Sequence, residues 1–397
     1  MADGQDNPPP QVDSGWSREI VTLKNALIAP PVDSGTAQQC GIYTEAGEWC
    51  PHGATWRGWK PMMSPYATPP EVQNKIAGRH VFCGQIWAHF GHWMAESMSR
   101  LWALDHLDEK PDGLIFMVKR PRRGATVHSY QKAFLDALGI DLPITIVFEA
   151  TKVEELIVPG QGFGLGSIIS GTPEFRDFMH GRLGKGDVPE GARKLYVSRS
   201  ALGGKMGGLL LETVLEDNLR AAGYEIYHPQ QHSLADQIAA YRAADMVLGP
   251  DGSALHLLGF VARPEQKIGV ILRRNSAVAK GITSHIKGFT GVTPGEYNAL
   301  STDWLPKDVG RASRNSFGQL DFEGLQQMLI ADGFITADDP WTVPNFRDQK
   351  RGAEAIGKAR GLELESLHDR KRAARLARLE ADRAASDAEE TDESAKP

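Results

Sequence analysis

The sequence predicts an α/β protein built from two strand-and-helix halves, and three observations support this. Between residues 194 and 272, short apolar runs alternate with segments of helical spacing, which is the order of a parallel sheet with crossover helices. A shorter alternation of the same kind occurs between residues 114 and 148. Hydrophobic residues form 41% of the 397-residue chain, and at about 150 residues per domain this length fits two or three domains.

Composition and charge exclude several classes of protein. With 44 Lys and Arg against 50 Asp and Glu, the net charge of -6 excludes a globally basic nucleic-acid binder, although a local basic patch is compatible with it. Three cysteines are too few for a disulfide framework, and an odd number favours a reducing compartment. The N-terminus lacks the basic and apolar regions of a signal peptide, and no run of about 18 apolar residues predicts a membrane span. We therefore expect a cytoplasmic protein.

The N-terminal part of the chain divides into a leader and a first domain. We expect a Pro-rich, irregular leader over residues 1–70, parts of which pack on the core because its tryptophans are costly to leave in water. The first α/β domain is predicted over 71–190. Its predicted elements are a long helix, a strand, a helix closed by glycine and a second strand, over 81–107, 114–118, 130–138 and 144–148.

A second, clearer α/β domain is predicted over residues 191–350. Its expected strands cover 194–198, 224–227, 246–248 and 267–272, and its expected helices cover 209–222, 234–243 and 253–261. Ser233 is the expected N-cap of the middle helix, with Asp236 in its first turn. This order favours a Rossmann-like sheet. Residues 351–397 are rich in Ala, Glu and Arg, which predicts a solvated, charged helix that gives way to a disordered end.

Four chemically versatile side chains recur at intervals of three or four residues: His89, His92, Glu96 and Arg100. On a helix they would share one face. Such a face favours a reactive site, in which an imidazole or carboxylate takes a proton from a nucleophilic hydroxyl, and a buried polar network is the alternative. The spacing also resembles a metal-binding face, but its order is not that of the zinc proteases and no further ligand is apparent.

Two strand-to-helix turns of the second domain carry candidate phosphate-binding residues. Arg199 ends a predicted strand, and Lys205 follows it across a glycine-rich loop, so two cations and backbone N–H groups can meet a phosphate there. Gly252 and Ser253 open a predicted helix, whose N–H donors favour a diphosphate. Asp251 would repel a phosphate and could instead cap the helix, orient Arg199 or bind a sugar hydroxyl. Solvated turns are the alternative for both segments.

Between about residues 80 and 273 the chain resembles glycosyltransferase family 61, which includes bacterial capsular polysaccharide enzymes and eukaryotic xylosyl- and N-acetylglucosaminyltransferases. Four family motifs can be located in the chain, and three of them match well in order and spacing. They correspond to His89-Phe-Gly-His92-Trp93 followed by Glu96 and Arg100, to Ser198-Arg199 followed by Lys205 and Glu212, to Gln237-Ile238 before Ala244-Asp245, and to the segment from Asp251 to Leu257. The chain departs from the family at three positions: Asp251 replaces a histidine, and Leu257 and Leu211 each replace an asparagine.

The resemblance implies a GT-B-like architecture, with two facing Rossmann-like domains and a cleft between them. It implies inverting transfer from a nucleotide sugar to a glycan or polysaccharide acceptor in capsule or surface polysaccharide synthesis, with no cofactor and no obligatory metal. From the net charge we expect no nucleic-acid partner, and any membrane association would come through the acceptor. Two other functions stay open, a metal-dependent hydrolase that uses the His89, His92 and Glu96 face, and an inactive scaffold of the same fold.

We expect the following roles in such a transferase. His92 is the expected general base, and His89 and Glu96 are the second choices. Arg100 is expected to orient Glu96 or to contact the acceptor. The residues expected at the donor are Arg199, Lys205, Glu212, Asp251, Gly252 and Ser253.

Overall fold

The computed structural model describes residues 8–202, 206–275 and 278–394, and it shows a mixed α/β protein. In chain order the strands are β1 Ile20–Ala29, β2 Gln38–Gln39, β3 Gly41–Tyr43, β4 Trp56–Arg57, β5 Lys60–Pro61, β6 Met63–Ser64, β7 Asn74–Ile86, β8 Gly113–Val118, β9 Ile144–Val147, β10 Thr151–Pro159, β11 Lys194–Val197, β12 Glu225–Tyr227, β13 Met246–Pro250, β14 Lys267–Ile271, β15 Gly295–Tyr297, β16 Leu300–Pro306, β17 Phe317–Leu320 and β18 Leu364–Ser366.

The α-helices lie mainly after residue 129. They are α1 Phe90–His92, α2 Ser129–Ala137, α3 Pro173–Leu183, α4 Glu212–Ala221, α5 Leu234–Ala243, α6 Ala254–Val261, α7 Val278–Thr290, α8 Phe322–Ala331, α9 Phe346–Arg360 and α10 Leu367–Ser394. A π-helical turn covers Trp93–Ser97, and short 3-10 turns cover Gly15–Arg18, Pro51–Gly53, Leu101–His106, Pro121–Arg123, Ser200–Leu202 and Pro229–Gln231. Within the described ranges, no helix has both the length and the apolar character to cross a membrane.

The first half is built on a six-stranded sheet with the order β3-β1-β10-β7-β8-β9. Strands β10, β7, β8 and β9 run parallel, whereas β1 is antiparallel to both of its neighbours. The predicted helix over 81–107 is wrong in its first part, because residues 81–86 belong to β7. These six residues are buried on both faces of a central strand, and such a continuous apolar run has no period that separates it from a buried helix.

The leader is a structural part of this first sheet. The expectation of an irregular segment over 1–70 is wrong for β1, whose Ala26 and Ile28 are fully buried. Strand β10, which the sequence did not predict, pairs with β1 over eight positions from Ile20–Pro159 to Ile28–Thr151. Burial of this pair explains why the leader is ordered despite its prolines.

The second half is built on a five-stranded sheet with the order β12-β11-β13-β14-β15, and all its described pairs are parallel. The predicted strands and helices of this half are confirmed with small shifts at their ends. Helix α5 matches its predicted bounds, because Ser233 accepts from the Asp236 backbone N–H at 3.1 Å and forms a capping box. Helix α4 begins three residues later than expected, because Leu211 adopts a left-handed conformation with φ of 54°.

The C-terminal segment is more integrated than predicted. A third, antiparallel sheet has the order β17-β16-β18, so the chain returns to the fold at residues 364–366. Ala353 of α9 is fully buried beside Trp304 and Phe317. The expected solvated helix is confirmed for the exposed residues of α10 up to position 383, and the expected disordered end beyond Ser394 lies outside the described residues.

One hydrophobic core joins the two halves. It contains Trp93 and Phe134 of the first half together with Leu255, Phe260 and Phe289 of the second half. Helix α6 packs against α3, α5 and α7, and α5 also packs against α2. This contact brings the carboxyl ends of the strands of both sheets to the same region.

Candidate functional site

Two neighbouring cavities lie where the parallel strands of the two sheets end. The N-side cavity, of about 640 Å³, is lined by residues that follow β7, β8 and β9, including Trp87, Lys119 and Phe148. The C-side cavity, of about 280 Å³, is lined by residues that follow β11, β12 and β13. His89 lines both cavities. Crevices at the carboxyl ends of parallel strands are the usual ligand sites of α/β proteins.

The segment after β7 places the predicted histidines between these cavities. The chain leaves the sheet at Ile86, makes the short helix α1 and then the π-helical turn Trp93–Ser97. His92 and Glu96 still meet, with His92 Nδ1 2.7 Å from Glu96 Oε2. A π-turn adds a residue to the turn, so the side chains beyond Glu96 leave the face that a regular α-helix would share.

Glu96 is a buried carboxylate that holds His92 in place. It is 3% exposed and accepts from Arg57 Nε at 2.7 Å and Arg57 Nη2 at 2.9 Å, in addition to its contact with His92. Burial alone would raise the pKa of Glu96, but the hydrogen bonds from His92 and Arg57 outweigh it and keep the pKa below its ordinary value. The charged Glu96 favours the tautomer with its proton on His92 Nδ1, which leaves Nε2 as a proton acceptor.

Trp87 supports this arrangement from one side. Its ring stacks on His92 with the centroids 4.5 Å apart. The Arg57 guanidinium lies 5.2 Å from the Trp87 centroid, and Lys119 Nζ lies 5.1 Å from it. The two cations attract the Trp87 ring and hold it in place. Because this ring covers His92, it limits the rotation of the His92 imidazole.

Arg100 does not have its expected role. Its side chain is fully buried and donates to the backbone carbonyls of His52 at 2.9 Å and Ala54 at 2.6 Å. These bonds tie the first half to the leader, and Arg57 takes the position beside Glu96 that was expected of Arg100. The prediction that Arg100 orients Glu96 or touches the acceptor is therefore wrong.

Arg57 was missed by the sequence analysis. It lies on the β4–β5 hairpin of the leader, 39 positions before Glu96. A contact over this separation leaves no periodic signal. The half-buried Trp56 was the available indication that this segment packs, whereas the expectation was wrong for Trp59, which is 81% exposed.

His89 is a second imidazole that faces the cavities. Burial, followed by the neighbouring charges of His92 and Arg314, lowers the pKa of His89. The His89 ring is therefore neutral at pH 7 and able to accept a proton. Its centroid lies 5.2 Å from that of His92, so both imidazoles can serve one reacting group.

Arg199 is the predicted donor-side cation that lines the C-side cavity. Its backbone N–H donates to Glu212 Oε1 at 2.8 Å, and its guanidinium donates to the carbonyl of Gly207. A Cβ atom on Gly252 would lie 2.6 Å from Arg199 Nη1, so the absence of a side chain at Gly252 makes room for the guanidinium. Burial raises the pKa of Glu212 to about 7. Lys205 lies outside the described residues.

Asp251 is a buried counter-ion. Its side chain has almost no exposed surface, and its Oδ1 lies 3.4 Å from the Nε atoms of both Arg273 and Arg274. Burial raises the pKa of Asp251, against the opposing effect of these two arginines. To accept a hydrogen bond from a sugar donor, the Asp251 carboxylate would have to leave this position, so the contacts favour a role in holding the two arginines.

Ser253 connects the two halves at the site. It lines the C-side cavity, and a Cβ atom on Gly91 of α1 would lie 2.6 Å from its Oγ. The close approach of α1 to the start of α6 places His89 and His92 beside the N-terminus of α6. The structure thus brings predicted residues of both halves together.

The contacts at Glu96 also bear on metal binding. Within the described part of the chain, no group of three or more His, Cys, Asp or Glu side chains is placed to hold a metal ion. Both oxygens of Glu96 are taken up by Arg57 and His92. The metal-dependent hydrolase therefore gains no support from the geometry.

Part of the chain is similar to a known protein family. Residues 90–269 match the family model described as Glycosyltransferase 61. This segment of the chain is therefore similar to glycosyltransferase family 61. The match covers a little under half of the chain and includes His92, Glu96, Arg199 and Asp251. No curated protein matches the chain. The resemblance predicted from the motifs is thereby confirmed, and it indicates glycosyltransferase activity.

Proposed function

We propose that this glycosyltransferase moves a sugar from a nucleotide-sugar donor to an acceptor hydroxyl with inversion, and that His92 is the general base. The observation that supports this most is the His92–Glu96–Arg57 arrangement at the border of two strand-end cavities. It presents an oriented imidazole to a cavity and supplies a buried negative charge behind it. This is the design of a base that takes a proton from a weak nucleophile.

The proposed reaction follows from these positions. His92 Nε2 removes the proton of the acceptor hydroxyl, and its oxygen attacks the anomeric carbon from the face opposite the leaving group. The bond from that carbon to the diphosphate oxygen breaks, so the nucleoside diphosphate leaves with the electron pair. The charged Glu96 stabilises the His92 imidazolium that forms, as the buried aspartate of a Ser-His-Asp triad does.

We assign the donor to the C-side cavity and the acceptor to the N-side cavity. Arg199 and the backbone N–H groups at the start of α6 can stabilise the charge of the departing diphosphate. Glu212 accepts a hydrogen bond from the backbone N–H of Arg199, so we assign it to positioning Arg199 and not to contacting the donor. The two sheets with a shared crevice are compatible with the GT-B-like arrangement, and the absence of an Asp-x-Asp motif in the sequence is compatible with transfer that needs no obligatory metal.

A nucleotide panel is the first test of the proposal. Thermal unfolding is measured with uridine, guanosine, cytidine and thymidine diphosphates, since a ligand at 100 times its dissociation constant stabilises a protein by about 2.7 kcal/mol. We expect one nucleotide to stabilise the wild type. A panel without any shift contradicts the transferase and favours the inactive scaffold.

Turnover of the base variant is the second test. With the matching nucleotide sugar and acceptor, His92→Ala should lower kcat by about 100-fold or more while the circular dichroism spectrum is unchanged. The exposed His106→Ala is the control and should keep wild-type turnover. Near-normal turnover of His92→Ala would remove His92 from the role of base.

A further inference from the structure

Cations line the N-side cavity. Lys119 and Arg120 follow strand β8, Arg123 lies on the same loop, and Arg314 reaches the cavity from the second half. The lining also contains histidines, and it contains no Asp or Glu from the residues that the structure describes. The chain as a whole carries a net charge of -6, so this concentration of positive charge is a local property of the cavity.

Most of this charge has no partner in the described part of the chain. There, no carboxylate oxygen lies within 4.0 Å of the guanidinium groups of Arg120, Arg123 or Arg314, and all three residues are exposed. Lys119 is different, since its Nζ donates to Thr36 O at 2.8 Å and to Gln38 Oε1 at 2.7 Å. The cavity therefore has one buried, hydrogen-bonded cation and three exposed cations without a carboxylate partner among the described residues.

The remaining walls suit a sugar ring. Phe148 lines the cavity and is 44% exposed, whereas the ring of Trp87 is already covered by His92. Flat aromatic faces pack against the apolar C–H face of a pyranose, and their partial exposure lets polar groups of the ligand stay hydrated. The volume of about 640 Å³ lies within the range of small-molecule sites, about 300–1,000 Å³.

We propose that the acceptor of this enzyme is an anionic saccharide, which carries a carboxylate or a phosphate group. This inference rests on the proposed function, in which the N-side cavity receives the acceptor. The acceptor hydroxyl lies at His92, and the anionic group of the acceptor lies among Arg120, Arg123 and Arg314. The described lining of the cavity contains no Asp or Glu, so with a neutral saccharide bound these three arginines would have no counter-ion.

Calorimetric titrations of the full chain test this inference. The probes are tetragalacturonate, which carries carboxylates, neutral maltotetraose of the same length, and mannose 1-phosphate, which carries a phosphate. They are titrated into the wild type, the double variant Arg120→Gln/Arg123→Gln and the control Arg122→Gln, at 50 and 300 mM NaCl. Arg122 is exposed on the same loop but does not line the cavity.

The expected results follow from the charges. An acidic probe should bind the wild type at least tenfold more tightly than maltotetraose, and more weakly at 300 mM salt. The double variant should bind that probe about 5- to 20-fold more weakly, whereas Arg122→Gln should stay within about twofold of the wild type. Preference for tetragalacturonate assigns the charge to the sugar, and preference for mannose 1-phosphate assigns it to a phosphate.

Other results overturn the inference. Equal binding of acidic and neutral probes, or no binding of either acidic probe, contradicts it even when a nucleoside diphosphate stabilises the wild type. A double variant that loses nucleotide binding but keeps the acidic probe shows that the cavity holds the donor diphosphate, which also overturns it. Failure of all nucleotides to bind contradicts the proposed transferase itself, so the two failures are distinguishable.

Discussion

The buried carboxylate at the site gives the sharpest test of the proposed base. In Glu96→Gln, the side chain keeps its shape but loses its charge and presents an amide NH₂ where a second acceptor oxygen stood. Glu96 accepts from Arg57 twice and from His92 once, so one of these donors must then face another donor. His92 loses the partner that fixes its tautomer, and Arg57 loses its counter-ion.

The expected magnitudes follow from burial. A wrong tautomer in a comparable base–carboxylate pair of a protease costs about 10⁴-fold in kcat, so we expect a fall of about 10²- to 10⁴-fold here, with the donor KM changed by less than about threefold. Breaking a fully buried ion pair costs about 3–5 kcal/mol. The Arg57 side chain is 23% exposed and can regain water, so we expect a loss of about 2–3 kcal/mol in the free energy of unfolding.

The assay combines initial rates with urea unfolding of the same protein. Glu109→Gln is the matched control, because the Glu109 side chain is 82% exposed and its contact with Arg79 is 3.5 Å long. It should change the free energy of unfolding by no more than about 0.5 kcal/mol. A Glu96→Gln enzyme that folds and retains kcat within about threefold of the wild type would refute the role of Glu96 in positioning His92.

Three further outcomes are expected. Gly252→Ala should weaken nucleotide binding about tenfold or more without unfolding the protein, because the new Cβ atom would lie 2.6 Å from Arg199 Nη1 and displace the guanidinium. The control Gly281→Ala, in open space on α7, should leave nucleotide binding unchanged. Equal nucleotide binding by the two variants would contradict this geometry. Ile28→Ala should lower the free energy of unfolding in urea by about 2–4 kcal/mol, because Ile28 is fully buried. The control Val32→Ala should leave it nearly unchanged, because Val32 is 76% exposed. Equal losses for the two variants would show that the leader is not part of the core. Burial lowers the pKa of His256 to about 4. Below about pH 6.5 the imidazole is therefore protonated in the unfolded chain but stays neutral in the folded chain. The free energy of unfolding should fall by up to about 3 kcal/mol between pH 6.5 and 4. His256→Asn should reduce this slope, to which the buried His285 also contributes because burial lowers its pKa, and an unchanged slope would remove His256 as a source.

Local signals predicted the second half of the chain well. The bounds of α5 came from a capping serine and an acidic residue three positions later, both of which act within one turn. The strands of the parallel sheet are short apolar runs between turn residues, so their positions were visible too. The Ser198–Arg199 strand end and the Gly252–Ser253 turn were found at the C-side cavity for the same reason.

In the first half, local sequence signals did not predict every element. Strand β7 is central and buried on both faces at its carboxyl end, so its apolar run resembled part of a helix. The π-turn after α1 then separated Arg100 from the predicted face, and the chain used Arg57 in its place. The buried position of Asp251 depends on Arg273 and Arg274, which lie on another strand end.

By itself, the sequence predicted the α/β class, the resemblance to glycosyltransferase family 61 and the candidate residues His92, Glu96 and Arg199, because motifs, caps and apolar runs act over a few positions of the chain. Only the tertiary structure decided which groups hold those residues. Arg57 reaches Glu96 across 39 positions, and the leader strand β1 pairs with β10 across more than 100. Pairing between distant segments depends on which surfaces fit and exclude water together, and no local pattern in the chain encodes that choice.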